Sequence, residues 1–256
     1  MHRYGLKLWS ANTGSYLRAA RSLYDEGVFD YVELYVVPGT LDTLEQWRAF
    51  KAPFAIHNAH SAHGFNLANP GMRSTNRKIY EQSRKFADAL DARFIIFHGG
   101  LDGRAEETAE QLSDFKEPRA LIENKPAVAL PNNISGAFCR GATKEELSMI
   151  IKAANCGFCL DFGHAVCAAA HLKADPYLYI KGLAGLEPSM FHLSDVKDMD
   201  SPYDAHPHLG SGELDLLRIK REFLPSGAMV SIETQKDSKD NLDDFASDVK
   251  WMKNLK

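Results

Sequence analysis

The stretch Gly157-Phe-Cys-Leu-Asp-Phe-Gly-His164 joins a short apolar run to a carboxylate and an imidazole. The run from 157 to 160 predicts a buried strand that ends at Asp161. His164 follows three residues later, about one helical turn further if a helix begins there, so both side chains would face one pocket. Taken alone, the motif is explained equally well by an aspartate N-cap followed by a surface histidine.

Other short apolar runs along the chain end in the same way. These runs cover residues 54–56, 94–97, 120–122, 190–191 and 229–232. Side chains at the carboxyl ends of parallel strands project into one crevice, wherever they stand in the sequence. We therefore predict a metal site at the strand ends, and the candidate ligands are His60, His98, Glu123, Asp161, His164, His192, Asp204, His206 and Glu233.

The order of patterns along the chain, strand then helix, decides the fold class. About eight such pairs can be recognised, and a length of 256 residues is close to the roughly 250 typical of an α/β barrel of this kind. We predict a (β/α)₈ TIM barrel that forms a single domain over residues 1–256.

Composition restricts the partners and the location. The formal net charge of −4 supplies no overall attraction to nucleic acid, although a local basic strip or bound dications could still bind a polyanion. The amino terminus has no apolar core of a signal peptide, and no run is long enough for a membrane helix. We expect a cytoplasmic protein that does not enter the membrane.

The cysteines have no role in the predicted site. Cys156 and Cys159 are three positions apart, which in a strand sends their thiols to opposite faces. No second pair with this spacing exists in the sequence. We expect Cys139, Cys156, Cys159 and Cys167 to be reduced and partly buried. The candidate ligands contain imidazoles and carboxylates but no thiolate, which suits zinc, manganese or iron and argues against a closed structural zinc.

Two loops add histidines to the candidate site. In the loop from Asp204 to Gly212, an extended conformation would place Asp204 and His206 on the same side. In the stretch from His57 to Ala68, His60 is the candidate ligand, while His57 and His63 could support it or face the substrate. A substrate contact is also left open for His208 and Glu33, and His2 and His171 are expected at the surface.

The whole set of motifs resembles the endonuclease IV family, within the xylose isomerase-like TIM barrels. The matching stretches lie between about residues 54 and 234, in the order of the family's motifs: residues 60–68, 97–100, 122–124, 159–165, 191–195, 204–212 and 232–234.

The resemblance implies a trinuclear cluster of divalent metals, zinc in that family, with manganese or iron as alternatives. In it, His60, His98 and Glu123 would hold one metal, and Glu123 would bridge to a second held by Asp161, His192 and Glu233. The third metal would be held by His164, Asp204 and His206. The implied substrate is DNA with an abasic site, cleaved by a metal-activated hydroxide, with Glu123, Asp161 and Glu233 as catalytic residues.

The chain departs from this family at positions that bear on the substrate. His63-Gly64 stands where the family has a bulky pair that wedges into the DNA stack, and glycine cannot act as a wedge. Lys7 stands where the family pattern carries a histidine. Residues 32–35 resemble instead the sugar isomerases and epimerases of the same superfamily.

A second hypothesis is therefore a sugar or sugar-phosphate isomerase or epimerase. Such an enzyme would use only Glu123, Asp161, His192 and Glu233 around a divalent metal, and its two glutamates would exchange a proton at carbon. The other candidate ligands, His60, His98, His164, Asp204 and His206, favour the phosphoesterase, because an isomerase does not need them. A metal-binding protein without enzymatic activity is a third hypothesis.

Overall fold

A computed structural model describes residues 2–131 and 137–255 of the chain. Its parallel strands close into a barrel in sequence order, and the last strand pairs with the first through Arg3 and Met229. The predicted (β/α)₈ barrel is confirmed. The strands are β1 Arg3–Trp9, β2 Tyr31–Tyr35, β3 Phe54–His57, β4 Ile95–His98, β5 Ala120–Glu123, β6 Gly157–Asp161, β7 Met190–Leu193 and β8 Met229–Ile232.

Helices follow the strands and cover the outside of the barrel. They are α1 Ser15–Asp25, α2 Leu44–Arg48, α3 Arg73–Ala89, α4 Ala105–Phe115, α5 Lys144–Ala154, α6 Phe162–Leu172, α7 Pro176–Ala184, α8 Leu216–Arg218 and α9 Asp243–Asn254. The main apolar core lies between them and the strands. Within the described ranges, no helix is long and apolar enough to cross a membrane.

A second, smaller apolar cluster fills the inside of the barrel. It is built from one residue on each of seven strands: Tyr31, Ala55, Ile96, Leu121, Cys159, Met190 and Met229. On β1 the equivalent space is taken by Tyr31, because a Cβ atom on Gly5 would overlap its ring. All the cysteines are free, and Cys139, Cys159 and Cys167 are buried.

A layer of polar side chains lies directly above this apolar layer, because side chains alternate along each strand. Residues two positions apart on a strand point to the same side of the sheet. Two positions after the apolar residues stand Glu33, His57, His98, Glu123, Asp161, His192 and Ser231. The barrel therefore carries a ring of mostly ionisable side chains directly above its apolar interior, at the carboxyl ends of the strands.

Candidate metal centre

The group that the structure assembles most clearly consists of His164, Asp204 and His206. Oδ2 of Asp204 lies 2.7 Å from Nε2 of His206 and 3.3 Å from Nε2 of His164. His164 is only 5% exposed, so it is not a surface histidine. These residues form the set that the sequence resemblance implied for the third metal.

Asp161 combines the two interpretations that its sequence motif left open. Its Oδ1 atom accepts a hydrogen bond of 2.7 Å from the backbone N–H of His164, and so caps the N-terminus of α6. Its Oδ2 atom lies 3.5 Å from Nδ1 of His164, inside the site. The N-cap fixes the carboxylate while one oxygen remains available to a ligand.

A second group joins Asp161 to Glu123 and His192, as implied for the second metal. Glu233 lies beside it, with Oε1 2.7 Å from Nδ1 of His192. In the structure, however, Glu233 and His192 group with Glu33, whose Oε2 lies 2.9 Å from Nε2 of His192. Glu33 is a site residue that the sequence left only as a possible substrate contact.

The group around Glu123 and His98 contains a different histidine from the predicted one. Oε2 of Glu123 lies 3.0 Å from Nε2 of His57 and 3.2 Å from Nε2 of His98. His57, not His60, joins these two residues in a set able to hold a metal. His60 instead stacks on His98, with ring centroids 5.1 Å apart, and its Nδ1 accepts a hydrogen bond from Ala62 N–H. Metal ligation by His60 stays a prediction.

The other histidines separate into those near the site and those away from it. Nδ1 of His63 lies 2.7 Å from the hydroxyl of Tyr35, at the edge of the centre. His208 turns outward, with Nδ1 2.9 Å from Asp248. His171 is exposed as expected, whereas His2 is half-buried.

A cavity of about 630 Å³ opens above these groups. Its floor includes His57, His98, Glu123, His164 and Glu233. Side chains from the loops after β1, β5, β7 and β8 form its walls. These five residues are therefore open to a small molecule from the carboxyl end of the barrel.

Comparison with known proteins assigns the family. A model of the xylose isomerase-like TIM barrel matches residues 20–255. The chain belongs to the xylose isomerase-like TIM barrel family.

Two relatives of this chain carry the same name. "Probable endonuclease 4" of Mycobacterium bovis is 29% identical over 192 residues, which cover 73% of this chain and 75% of that protein. A protein of the same name from Thermoplasma volcanium is 29% identical over 167 residues, covering 60% and 58%. The predicted resemblance to endonuclease IV is confirmed.

Solved structures show the same barrel in proteins with different activities in their names. A D-tagatose 3-epimerase-like protein superposes with a TM-score of 0.72 at 19% identity, covering 99% of this chain and 96% of that one. Endonuclease IV from Thermus thermophilus superposes with a TM-score of 0.67 at 20% identity, covering 97% and 99%. At these identities the likeness concerns the fold.

Two lysines lie among the candidate ligands of this xylose isomerase-like barrel. Lys7 forms ion pairs with Glu233 and with Glu33, whose Oε1 lies 3.1 Å from Nζ. Lys125 places Nζ 3.0 Å from Nε2 of His164 and 3.5 Å from Oε1 of Glu123. Lys125 was not predicted as a site residue, although its position two residues after Glu123 on an extended segment is a signal for that role.

The packed charges shift the proton affinities in opposite directions. Burial alone would raise the pKa of Glu33, but His192 and Lys7 lower it to about 2. Burial opposes charge on His164, yet Asp161 raises its pKa to about 10. Burial and the neighbouring Lys125 hold the pKa of His98 well below its ordinary value. Neighbouring charges and burial thus shift the pKa values of two imidazoles in one centre in opposite directions.

The residues fit divalent metal ions on two observations. First, buried atoms of His192, Asp204 and His206 lack a hydrogen-bond partner among the described residues, although charged groups lie close to them. Buried polar atoms are normally paired, so these atoms are suited to accept another ligand. Second, the donors are imidazoles and carboxylates, which suit zinc, manganese or iron.

Proposed function

We propose that the protein is a metal-dependent phosphodiester hydrolase of the endonuclease IV kind, acting on an abasic site in DNA or on a related phosphodiester. The observation that carries the proposal is the group of His164, Asp204 and His206, in which His164 is buried and the other two residues are partly buried. It connects to the rest of the centre, since Nδ1 of His164 lies 2.9 Å from Oε1 of Glu123. An isomerase has no use for this additional set of ligands.

The chemistry of the proposal depends on several metals acting together. Clustered divalent ions lower the pKa of bound water and neutralise charge on the attacking and leaving oxygens of a phosphodiester. Glu123 would help to hold two of them, and the support for this role is that Oε2 faces His57 and His98 while Oε1 faces His164. Asp161 would hold its ion with the oxygen that the N-cap leaves free.

Glu233 is oriented by Lys7, which lies outside the predicted ligand set. The ammonium of Lys7 donates a hydrogen bond to Oε1 of Glu233 and pairs with Glu33 behind it. The ion pair keeps the Glu233 carboxylate ionised and in one position at the floor of the cavity. In this proposal Glu123, Asp161 and Glu233 are the catalytic carboxylates, and Lys7 is a positioning residue.

The alternative function is a sugar or sugar-phosphate epimerase. Two observations favour it. The chain superposes on a D-tagatose 3-epimerase-like protein, and Glu33, His192 and Glu233 lie close enough together to form one group. In that reaction Glu123 and Glu233 would take and return a proton at carbon beside a metal-polarised carbonyl. His164, Asp204 and His206 would then have no catalytic part.

The metal content of the purified protein, measured together with three activities, separates these functions. The substrates are a duplex oligonucleotide with one abasic site, bis(p-nitrophenyl) phosphate and a ketohexose. About three metals per chain with cleavage of either phosphodiester supports the hydrolase. One or two metals with epimerisation, and neither diester cleaved, would sink it.

A variant pair tests the third group directly. His206→Ala is expected to remove one metal and to lower diester cleavage, whereas His171→Ala, which removes an exposed histidine, should change neither. If the metal content of the His206 variant equals that of the parent, the assignment of this group is wrong.

A further inference from the structure

The cavity above the centre has two unlike halves. Its floor is ionic, whereas its mouth carries large apolar side chains that are exposed. Seven large apolar side chains are exposed in the described part of the chain, and three of them line this cavity: Trp9 at 49%, Leu130 at 47% and Tyr203 at 42%. Exposed apolar groups that gather at a concave site, rather than scattering singly, indicate a ligand surface.

Trp9 is held in place while one side of its ring stays accessible. It is the last residue of β1, and its backbone N–H donates a hydrogen bond of 2.7 Å to Asn12. Its ring packs against Tyr35, with centroids 5.5 Å apart, and against the edge of His63 at 5.8 Å. An aromatic ring fixed in this way is preorganised, so binding costs it little conformational entropy.

The wall across the cavity from Trp9 is aliphatic. In a closed barrel of eight strands in sequence order, β5 lies diametrically across from β1. The segment after β5 lines the cavity with Val128, Ala129 and Leu130. A flat ring that enters the mouth would therefore meet an indole on one side and aliphatic side chains on the other.

We propose that Trp9 is a stacking subsite for a flat-faced ring that carries a phosphoester, so that the substrate is a small nucleotide-like molecule. The phosphoester would point to the ionic floor, where Lys125 also lines the cavity. The position of the phosphoester at the ionic floor rests on the proposed function, whereas the stacking of a ring on Trp9 does not. A volume of about 630 Å³ is in the range of small-molecule sites, and walls on both sides suit a ligand of that size.

Binding of simple probes to the purified protein with its metals tests the subsite. The probes are adenosine 5′-monophosphate, adenosine, ribose 5-phosphate and inorganic phosphate, titrated by calorimetry. We expect the nucleotide to bind roughly ten-fold more tightly than inorganic phosphate, and Trp9→Ala to remove most of that difference, since one stacked base contributes about 1–3 kcal/mol. Trp9→Phe should retain most of it.

Tryptophan fluorescence supplies a second readout that does not require turnover. Trp47 is fully buried, and Trp251 lies in a separate surface depression with Ser247 and Lys250. In a Trp251→Phe background, quenching by the nucleotide should come from Trp9. Trp251→Phe is also the matched control, because its affinity for the nucleotide should equal that of the parent.

The outcomes distinguish a base from a sugar as the ring on Trp9, and they separate the subsite from the proposed hydrolase function. Equal, Trp9-dependent binding of ribose 5-phosphate would keep Trp9 as a ring contact but would overturn the nucleotide-like substrate. Trp9-dependent binding of adenosine by a protein that cleaves no diester would keep the subsite and overturn the proposed function. The subsite is overturned if Trp9→Ala binds the nucleotide like the parent, or if only an oligonucleotide binds.

Discussion

Both halves of the barrel mouth are built from the carboxyl ends of strands, but their side chains differ in chemistry. The half from β5 to β8 supplies Glu123, Asp161, His192 and, from the following loops and helix, the group around Asp204. The half from β1 to β4 supplies His98 together with an internal ion pair of Lys7 and Glu33. The first of these halves contains complete groups that can hold a metal, whereas the second half adds His57 and His98 to a group shared with Glu123 and places a fixed cation against Glu233.

The two halves differ in how closely they follow the endonuclease IV pattern. The candidate ligands agree with that pattern, whereas the charged residues beside them do not. Lys7 occupies a position where the endonuclease IV motif has a histidine, and its charge is balanced by Glu33 and Glu233. The ligand group of His164, Asp204 and His206 does not involve this pair. Variants on the two sides should therefore fail in different ways.

The largest effect is expected from Glu123→Gln, at the junction of the two halves. Both carboxylate oxygens face histidines of the centre, so the amide removes the charge that a bridging ligand needs. We expect diester cleavage to fall on the order of 100-fold or more, with a loss of bound metal, because even partners of metal ligands contribute 10–100-fold. Retention of full metal content would contradict the bridging role.

Lys7→Met should affect stability more than metal content. The change leaves Glu33, which is 0% exposed, as a buried carboxylate without its ammonium partner. Breaking a buried ion pair costs about 3–5 kcal/mol of the free energy of unfolding, and we expect a smaller loss here, because Nε2 of His192 still lies 2.9 Å from Oε2 of Glu33. Urea unfolding measures the loss, and the double variant Lys7→Met with Glu33→Gln should recover part of it. A double variant as unstable as the single one would show that charge is not the cause.

A comparison of His57→Ala with His60→Ala decides which histidine the β1 to β4 half would give to a metal beside His98. The structure places Nε2 of His57 3.0 Å from Glu123, whereas the sequence motif assigns the metal to His60. We expect one metal to be lost with the true ligand only, as measured by elemental analysis after dialysis. Equal losses in both variants would mean that His60 and His57 act together.

The smallest effect is a difference in pH dependence between His164 and His98. A histidine must lose its proton to bind a metal, so a pKa of about 10 for His164 makes its metal affinity rise with pH up to that value. The pKa of His98 is below its ordinary value, so its metal affinity should change little between about pH 7 and 9. Chelator competition at several pH values measures the metal affinity of the parent and of His206→Ala. The affinity of the variant should depend less on pH than that of the parent. An unchanged slope would count against the protonated His164.

Much of this site follows from local sequence patterns. Apolar runs that end at His98, Glu123, Asp161 or His192 predict strands whose last side chain faces the mouth, because the period of a strand is two. The His164 motif adds a candidate ligand in the first turn of α6, and the Asp204 motif adds candidates from a loop. The parallel barrel then brings such residues together wherever they stand in the chain.

The alternation rule also applies to Lys7, Glu33 and Lys125, yet the sequence could not assign them a role. Whether Glu33 binds metal, substrate or Lys7 depends on the closure of β8 against β1, which carries Glu233 to the lysine. The presence of His57 rather than His60 beside Glu123 likewise depends on how the loop after β3 turns at Ser61–His63.

By itself, the sequence determined the barrel and the chemistry of its strand ends, because period-two alternation and residue type are local properties. The tertiary structure decided which side chains share one space: Lys7 against two glutamates, His57 beside Glu123, and Trp9 across the cavity from the segment after β5. Those contacts join residues far apart in the chain, and their distances are set only when the barrel closes.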